Sequence, residues 1–524
     1  MKLPYVKGAG KTTGVMTDFG ALNTNESAGE NEFICMTNLS GHAYPYLATR
    51  RGRKKERSLA SPGALIGYAD ELIVIDDGKV YRGNAILAEV SKGEKKTALM
   101  GALLLIWPDR IEINLKNGEV RRLENRVEIS GGIRVSQSSL SGEDSDTGTF
   151  IKIAADGIGR GFRAWDGVEI DGLEEEGLNG AHILYAVEEN FLIVPGIQAA
   201  SFEQAGGVVV ERKCPDMDFI AVQGNRVWGC SGEKHEIYAS KLGDASNWRA
   251  FAGTAADSYA ATAAAAGDFT GAAAVNDTVV FFQEDGFHKV LGTKPANFQI
   301  VHTPANGVMK GCEKSLCLLD GCLYYMGRNG VYAYDGALPV KVSRALDMWK
   351  LKDGCAGAAG NLYRLSCRDE NGNGHMLVFD VQTGLWHRED DIKAQAFASA
   401  GGKMYFAADG ALYQADCGEE KFEWECVTGR MALDLPGHKY LSRITVECET
   451  DRGAKIAVSV RYDDKGPWEK EMVSYGRRSV TLNLREKRAS FARIRLRGTG
   501  SCRIYSIARG LQAGSEILPG KRYE

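Results

Sequence analysis

Apolar and polar positions along the middle of the chain repeat as a two-strand unit. Each unit has an apolar run of about four residues, a turn with Gly or Asp, and a second apolar run, which is the pattern of a β-hairpin. Residues 71–83, ELIVIDDGKVYRG, form one copy, and residues 277–292, DTVVFFQEDGFHKVLG, form another. The first apolar residues of the seven copies are Leu72, Leu103, Val227, Val279, Leu323, Leu362 and Met404.

The spacing of these hairpins predicts a β-propeller. The last four intervals between the first apolar residues are 52, 44, 39 and 42 residues, and a strand-rich repeat of about 40–50 residues is typical of propeller blades. A hairpin alone cannot bury its faces, so the units must pack against one another. We therefore predict an all-β protein with a β-propeller of about seven blades over residues 61–430; six or eight blades are the alternatives.

The interval of 124 residues between Leu103 and Val227 is too long for one blade and predicts an inserted domain. Alternation at Ile151 and Ile153, and again at Val168 and Ile170, favours short strands. We predict a small β-barrel over residues 149–197, inserted in the propeller and reached through the acidic, Ser-rich stretch 138–148.

After residue 438 the pattern becomes a regular alternation of apolar and polar positions. It includes Ile444, Val446 and Cys448, then Ile456, Val458 and Val460, then Val480, Leu482 and Leu484, then Ile494 and Leu496. Such alternation predicts half-buried antiparallel strands. We expect a C-terminal β-sandwich or jelly roll over residues 438–524.

The first 60 residues are polar and irregular, with many Gly and Asn residues. We predict an extended N-terminal arm over residues 1–60 rather than a packed domain. This segment ends in a basic run that is a candidate for contact with DNA phosphates or an acidic partner. The run contains Arg50, Arg51, Arg53, Lys54 and Lys55.

The net charge of −4 hides a strong asymmetry along the chain. From Lys439 onward there are 19 Lys and Arg residues and 10 Asp and Glu residues, whereas the preceding 438 residues sum to −13. This division favours stacking of unlike surfaces or an anionic neighbour, and a solvated basic face is the plain alternative. Arg485, Lys487 and Arg488 are the C-terminal candidates for facing DNA or an acidic partner.

Motifs for chemistry are weak, and we expect no catalytic, cofactor-binding or metal site. GAGKTT at residues 8–13 resembles the end of a phosphate-binding loop, but Tyr5 stands where that motif needs Gly, and no strand precedes it. The 12 Cys residues contain no Cys-x-x-Cys pair, which disfavours zinc. The beginning of the chain lacks the apolar segment of a signal peptide, and no apolar run is long enough to span a membrane.

Two segments resemble a family of tailed-bacteriophage virion proteins. These are the opening KGAGKTTG…GALNTNESAGENEFICMTNLSGHAYPYLATRRGR and the stretch from Asn225 to Leu346, which includes NRVWGCSGEKHEIYASKLGDASNW and GCLYYMGRNGVYAYDG. They are similar to packaged-DNA stabilization, tail accessory or hub proteins. Distant relatives of these proteins in short-tailed phages form a hexameric propeller ring below the portal and its adaptor ring.

The resemblance implies a structural, non-enzymatic virion protein at the tail or head–tail junction, made in the bacterial cytoplasm. Its expected partners are further copies of itself in a ring, the portal or adaptor, tail components and packaged double-stranded DNA, with no cofactor and no membrane. The first alternative is a receptor- or carbohydrate-binding tail protein, because propellers and jelly rolls both present loops suited to glycans. An enzyme is the second alternative, although no sequence motif selects a nucleophile or a carboxylate pair.

Overall fold

The computed structural model describes residues 11–144, 149–198, 200–431, 438–476, 478–485 and 487–513. Across these residues the fold is all-β, with strands connected by turns and by 3-10 helices at Glu176–Leu178, Pro295–Asn297, Glu313–Ser315 and Arg344–Leu346. No helix in this part of the chain is long and apolar enough to cross a membrane. The first ten residues of the predicted arm, part of the predicted Ser-rich linker and the last residues of the tail lie outside the described residues.

Seven sheets share one design of four antiparallel strands, and we call them meanders one to seven. Meander one contains Pro62–Tyr68, Glu71–Asp76, Lys79–Arg82 and Ala85–Glu89; meander two contains Lys96–Met100, Leu103–Trp107, Ile111–Asn114 and Val120–Arg122. Meander three contains Phe219–Gln223, Arg226–Ser231, Glu236–Ala239 and Tyr259–Thr262; meander four contains Gly271–Val275, Thr278–Gln283, Gly286–Leu291 and Gln299–Pro304.

Meander five contains Cys317–Leu319, Cys322–Gly327, Gly330–Tyr334 and Val340–Lys341; meander six contains Lys352–Ala359, Leu362–Arg368, Gly374–Asp380 and Leu385–Arg388. Meander seven contains Ala394–Ala400, Lys403–Ala408, Ala411–Gln414 and, as its fourth strand, Lys54–Ser58 from near the N-terminus. The predicted hairpins are confirmed, since each of the seven repeated units supplies the second and third strands of one meander.

The seven meanders contact one another in chain order, and the seventh contacts the first. First strands of neighbouring meanders meet at six of these seven junctions, and meanders four and five meet through Phe282 and Tyr325, whose ring centroids are 5.1 Å apart. Buried apolar clusters fill the spaces between neighbouring meanders. The meanders therefore form a closed cycle of contacts that is completed by a strand from the other end of the chain.

The prediction of an extended arm is wrong for residues 11–60. Lys11–Met16 pairs with Cys502–Ala513, and Phe33–Thr37 pairs with Glu423–Thr428. Lys54–Ser58 pairs with Ala411–Gln414, although its side chains are mostly exposed. Because backbone pairing rather than apolar burial holds this strand, its polar sequence gives no sign of it.

The insert is larger than predicted and consists of two open sheets over residues 125–212. One sheet contains Asn125–Ile129, Val208–Arg212, Gly167–Asp171 and Gly180–Ile183; the other contains Ala186–Glu188, Phe191–Pro195, Phe150–Ala154, Ile133–Ser138 and Phe202–Gln204. Both sheets share one apolar cluster. Within the described residues they do not close into the predicted barrel over 149–197, because strands before and after that range pair with its strands.

Strands from both ends of the chain build two further sheets. One contains Leu39–Ser40, Leu47–Thr49, Cys502–Ala513, Lys439–Thr450, Ser479–Asn483, Lys11–Met16 and Arg488–Ala489; the five-stranded sheet contains Phe33–Thr37, Glu423–Thr428, Ala492–Thr499, Lys455–Tyr462 and Glu469–Tyr475. The predicted alternation is confirmed, since residues such as Ile444, Val446, Ile456 and Leu496 are buried. Their apolar cluster continues into meanders four to six.

Candidate interaction surfaces

A buried charge cluster joins the N-terminal segment to meanders six and seven. Arg53 immediately precedes Lys54–Ser58, the strand that closes the cycle of meanders. It donates to Glu389 at 2.5 Å and to Asp390 at 2.6 Å. Arg364, on the second strand of meander six, donates to Glu389 at 3.3 Å and to both oxygens of Asp416 at 2.7 Å. Glu389 therefore lies between two guanidinium groups, and each guanidinium has a second carboxylate partner, Asp390 for Arg53 and Asp416 for Arg364. Removal of the Glu389 charge would leave each arginine with one carboxylate instead of two in a largely buried place.

The electrostatic environment favours the ionised forms of Glu389 and Arg53. Burial alone would raise the pKa of the Glu389 carboxyl, but Arg364 and Arg53 outweigh it and lower that pKa to about 2. Burial would lower the pKa of Arg53, whereas Glu389 and Asp390 raise it. The carboxylate of Glu389 and the guanidinium groups of Arg53 and Arg364 therefore stabilise one another's charged forms.

Two of the five basic residues predicted for DNA contact are occupied by these internal interactions. Arg50 is 5% exposed, and its Nε donates to Asn38 at 2.6 Å while Nη1 donates to Glu420 at 3.0 Å. The side chain of Arg53 is 6% exposed. The prediction that Arg50 and Arg53 face DNA or a partner is therefore wrong, because both guanidinium groups are themselves buried and already bound to carboxylates of the same chain.

The other three residues of the run, Arg51, Lys54 and Lys55, are exposed. Lys54 lies 3.1 Å from Glu56. Lys55 lines a surface pocket of about 690 Å³ next to the charge cluster. The remaining lining residues are Arg53, Asp390, Asp391, Ile392, Lys393, Asp409, Tyr413 and Glu420. Because carboxylates and cations alternate here, the pocket suits a polar partner of mixed charge better than a polyanion.

The C-terminal basic run lies on a different part of the fold. Arg485 and Lys487 are exposed, and Arg488 is half-buried on the short strand Arg488–Ala489. Lys487 lies 2.5 Å from Glu469 and over the ring of Tyr462. No hydrogen bond or ion pair between described side chains connects this run with residues 50–55, so the structure presents two separate basic regions.

The outer face of the five-stranded sheet carries a second pocket, of about 460 Å³. Its floor includes Thr37, Glu425, Lys455 and Arg497 from four neighbouring strands. Arg497 donates two bonds of 2.7 Å to Glu471, and this pair lowers the pKa of the Glu471 carboxyl. The pocket is polar and open, as expected for a surface that contacts another macromolecule rather than a small apolar ligand.

An exposed aromatic strip on the insert is a further surface that the sequence reasoning missed. Trp165 is 46% exposed, and its ring centroid lies 4.8 Å from that of Tyr185. The ring of Phe150 lies 5.4 Å from Tyr185 on the other side. These three residues are separated in the sequence by 15 and 20 positions, so no local sequence pattern indicates that their rings lie together.

The buried carboxylate of Asp166 has a structural partner. Burial raises the pKa of Asp166 despite the neighbouring Arg212, but this carboxylate is 2% exposed and bound to that guanidinium, whereas a general acid must reach its substrate. Among the described residues no three His, Cys, Asp or Glu side chains group so as to hold a metal ion.

Comparison with known proteins assigns no family to the chain. No family model matches it, and no curated protein does. Among solved structures it is similar to BBS1N in complex with ARL6DN, with 8% identity over 70% of this chain and 95% of that one and a TM-score of 0.33. It is also similar to AztD from Citrobacter koseri (10% identity, 68% and 88% covered, TM-score 0.27) and Kluyveromyces lactis Hsv2 (16%, 44% and 67%, 0.26). These TM-scores are too low to assign a fold or a function to this chain.

Proposed function

We propose that this chain is a structural, non-enzymatic protein of a tailed-bacteriophage particle. In this proposal it forms a ring, expected to be a hexamer, in the head–tail connector or tail hub, where it closes the portal channel and helps to retain packaged DNA. The sequence resemblance described above motivates the phage context. The main support for a structural role is the pairing of N-terminal strands with meander seven and with both C-terminal sheets. This pairing holds the parts of the molecule together.

We interpret the closed cycle of meanders as a seven-bladed β-propeller. A fourth strand supplied by Lys54–Ser58 joins the two ends of the cycle in the last sheet, and closure of this kind leaves few free strand edges. The two C-terminal sheets, which share an apolar cluster, are interpreted as a β-sandwich. Rigid units of this type suit a permanent assembly, because binding then orders little additional chain.

Charge complementarity supports assembly of copies into a ring. Residues 125–212 contain 15 acidic and 6 basic residues, a net charge of −9, whereas the segment from Lys439 onward carries +9. Contacts between the acidic insert of one copy and the basic sheets of the next would be heterologous and could close into a ring. The proposal therefore predicts a ring that weakens as ionic strength rises.

The basic residues proposed to face DNA or an acidic partner are Arg51, Lys54, Lys55, Arg485, Lys487 and Arg488. Arg50 and Arg53 are excluded because they are buried in ion pairs. The sharpest variant is the triple change R485Q/K487Q/R488Q. Its matched control is K92Q/K310Q/R328Q, which changes three exposed cations: two on the connections that follow meanders one and four, and one in a turn of meander five.

The proposal is tested by locating the chain in purified particles by cryo-electron microscopy, with mass spectrometry for copy number. A ring between the portal and the tail is the expected result, and the C-terminal triple variant should release DNA from particles more readily than its control. Absence of the chain from particles, or its presence only on radial fibres, would overturn the connector proposal. Equal DNA retention in the two triple variants would remove the proposed DNA contact alone.

A receptor- or carbohydrate-binding tail protein is the second candidate function. The exposed aromatic strip of Trp165, Tyr185 and Phe150 favours it, because aromatic rings held at a surface are common in recognition sites. A protein with this role would be expected at the tail tip or on fibres and would bind envelope fragments in isolation.

A further inference from the structure

The backbone of Trp165 adopts a conformation that large residues rarely take. Its φ is +71°, in the left-handed region that favours glycine and, to a lesser degree, Asn and Asp. A bulky residue remains there only when surrounding contacts fix it, and such residues cluster at functional sites. The side chain is nevertheless 46% exposed, so burial of the indole is not what holds the backbone in this state.

Contacts from two parts of the molecule fix this turn. The Trp165 amide donates to the Leu184 carbonyl at 2.5 Å within the insert. The Trp165 carbonyl accepts from Asn247 Nδ2 at 2.7 Å and from Lys241 Nζ at 3.2 Å, both on the connection after the third strand of meander three. These bonds fix the backbone of Trp165 on both sides of its Cα atom.

Two further rings pack beside Trp165 at an angle. Tyr185 is half-buried and tilted 47° to the indole, and Phe150 is tilted 54° to Tyr185. Among the described residues, the Tyr185 hydroxyl and the exposed Arg163 guanidinium have no hydrogen-bond partner within the chain. Aromatic faces with free polar groups at their margin are complementary to a molecule that has one apolar face and a polar edge.

The charge of the insert decides which such molecule fits. The net charge of −9 over residues 125–212 repels a polyanion, which disfavours nucleobases on a phosphate backbone even though aromatic rings stack with them. An uncharged sugar ring has the required shape, since the C–H groups of a pyranose form an apolar face and its hydroxyls lie at the edge.

We propose that the aromatic strip binds a pyranose ring of a neutral oligosaccharide. The C–H face of the sugar stacks on the exposed indole of Trp165, which packs against Tyr185. A hydroxyl at the edge of the sugar bonds to the Tyr185 hydroxyl. The proposal rests on the carbohydrate-binding candidate function for the class of ligand. It is independent of the connector proposal, because a ring protein can also carry a glycan site.

Isothermal titration of the full-length purified protein tests the site, with maltohexaose, cellohexaose and the hexamer of N-acetylglucosamine as probes. At least one probe is expected to bind, and Trp165→Ala should weaken that binding by about tenfold or more. Trp165→Phe keeps an aromatic face and should restore part of the affinity. Trp165→Gly removes the ring while accommodating the left-handed backbone, which separates loss of the site from misfolding.

Phe251→Ala is the matched control, because Phe251 is 54% exposed and lies outside the strip. Binding that is equally weak in Phe251→Ala and Trp165→Ala would overturn the proposal, as would the absence of binding to all three probes. Oligothymidylate that binds in a Trp165-dependent way while the sugars do not would also overturn it. None of these outcomes bears on whether the chain occupies a ring in the particle, which the imaging experiment decides separately.

Discussion

At the scale of single residues, Glu389 holds two buried guanidinium groups in place. Glu389→Gln keeps the shape but removes the charge that Arg53 and Arg364 share. Each arginine retains one carboxylate, Asp390 or Asp416, so we expect a loss near the lower end of the range for breaking a buried pair, about 3 kcal/mol of unfolding free energy. Urea unfolding at pH 7 measures the change.

Glu128→Gln is the control for this substitution. Glu128 pairs with Arg126 at 3.5 Å, but the two side chains are 68% and 58% exposed, and such surface pairs contribute about 0–1 kcal/mol. Equal stability losses in the two variants would mean that the buried cluster contributes no more than a surface pair does.

His288 makes stability depend on pH in the mildly acidic range. Its side chain is fully buried and neither ring nitrogen has a hydrogen-bond partner. Burial, with smaller contributions from His302 and His235, lowers its pKa to about 4 from the ordinary 6.5. The folded state therefore binds fewer protons than the unfolded state between these values, so stability is complete above about pH 6.5 and is lost as the pH falls toward 4.

His288→Phe is expected to reduce this pH dependence by up to one proton, or about 1.4 kcal/mol per pH unit. Phe269 already packs 5.9 Å from the imidazole, so an aromatic ring suits the position. Unfolding free energies between pH 7 and 4 measure the slope. His438→Gln, at an exposed position, should leave the slope unchanged, and an unchanged slope in His288→Phe would show that this imidazole does not couple folding to protons.

The sequence predicted part of the candidate surfaces, for reasons visible at the same scale. Arg51, Lys54 and Lys55 are exposed, as the predicted contact with DNA or a partner requires, but the sequence could not distinguish them from Arg50 and Arg53 in the same run. The difference lies in Glu389, Asp390 and Glu420, which are more than 300 residues away along the chain. Trp165 was missed because its significance comes from a backbone angle and from distant bonds, not from its neighbours in sequence.

At the scale of elements, the hairpins were predictable and the strands that flank them were not. The second strands of the meanders are mostly buried, so their apolar runs stand out. First strands such as Gly271–Val275 are rich in Gly and Ala and only partly buried, which leaves no alternation to read. The polar closing strand Lys54–Ser58 is held by backbone pairing, so its place could be found only from the fold.

The contact between first strands of meanders seven and one is tight enough to exclude a side chain. A Cβ at Gly67, on the first strand of meander one, would overlap the carbonyl oxygen of Ser399 on meander seven. We expect Gly67→Ala to destabilise the protein by about 1–3 kcal/mol, as overpacking does. Gly177→Ala is the control, since a Cβ there meets open space. Thermal unfolding compares the two variants, and similar midpoints would refute close packing at this junction.

At the scale of the whole molecule, the insert is a separable unit attached to the cycle of seven meanders. Its two sheets share their own apolar cluster, and its first and last strands pair with each other, with Asn125 opposite Arg212. Entry and exit of the chain are therefore adjacent, which is the geometry that tolerates domain insertion and removal. By contrast, meander three is one member of the closed cycle of meanders, so deleting it would interrupt that cycle.

Replacing residues 125–212 with a short Gly-Ser link should therefore leave a folded protein that unfolds cooperatively. The remaining residues carry a net charge of +5 instead of −4, so the shortened protein should also lose salt-sensitive association if the insert provides the acidic side of the contact between copies. Deletion of residues 219–262 is the control and should abolish cooperative unfolding. Calorimetry measures folding, and light scattering at low and high salt measures association. Loss of folding in both deletions would mean that the insert is an integral part of the rest of the fold. Unchanged association without the insert would place the interface between copies elsewhere.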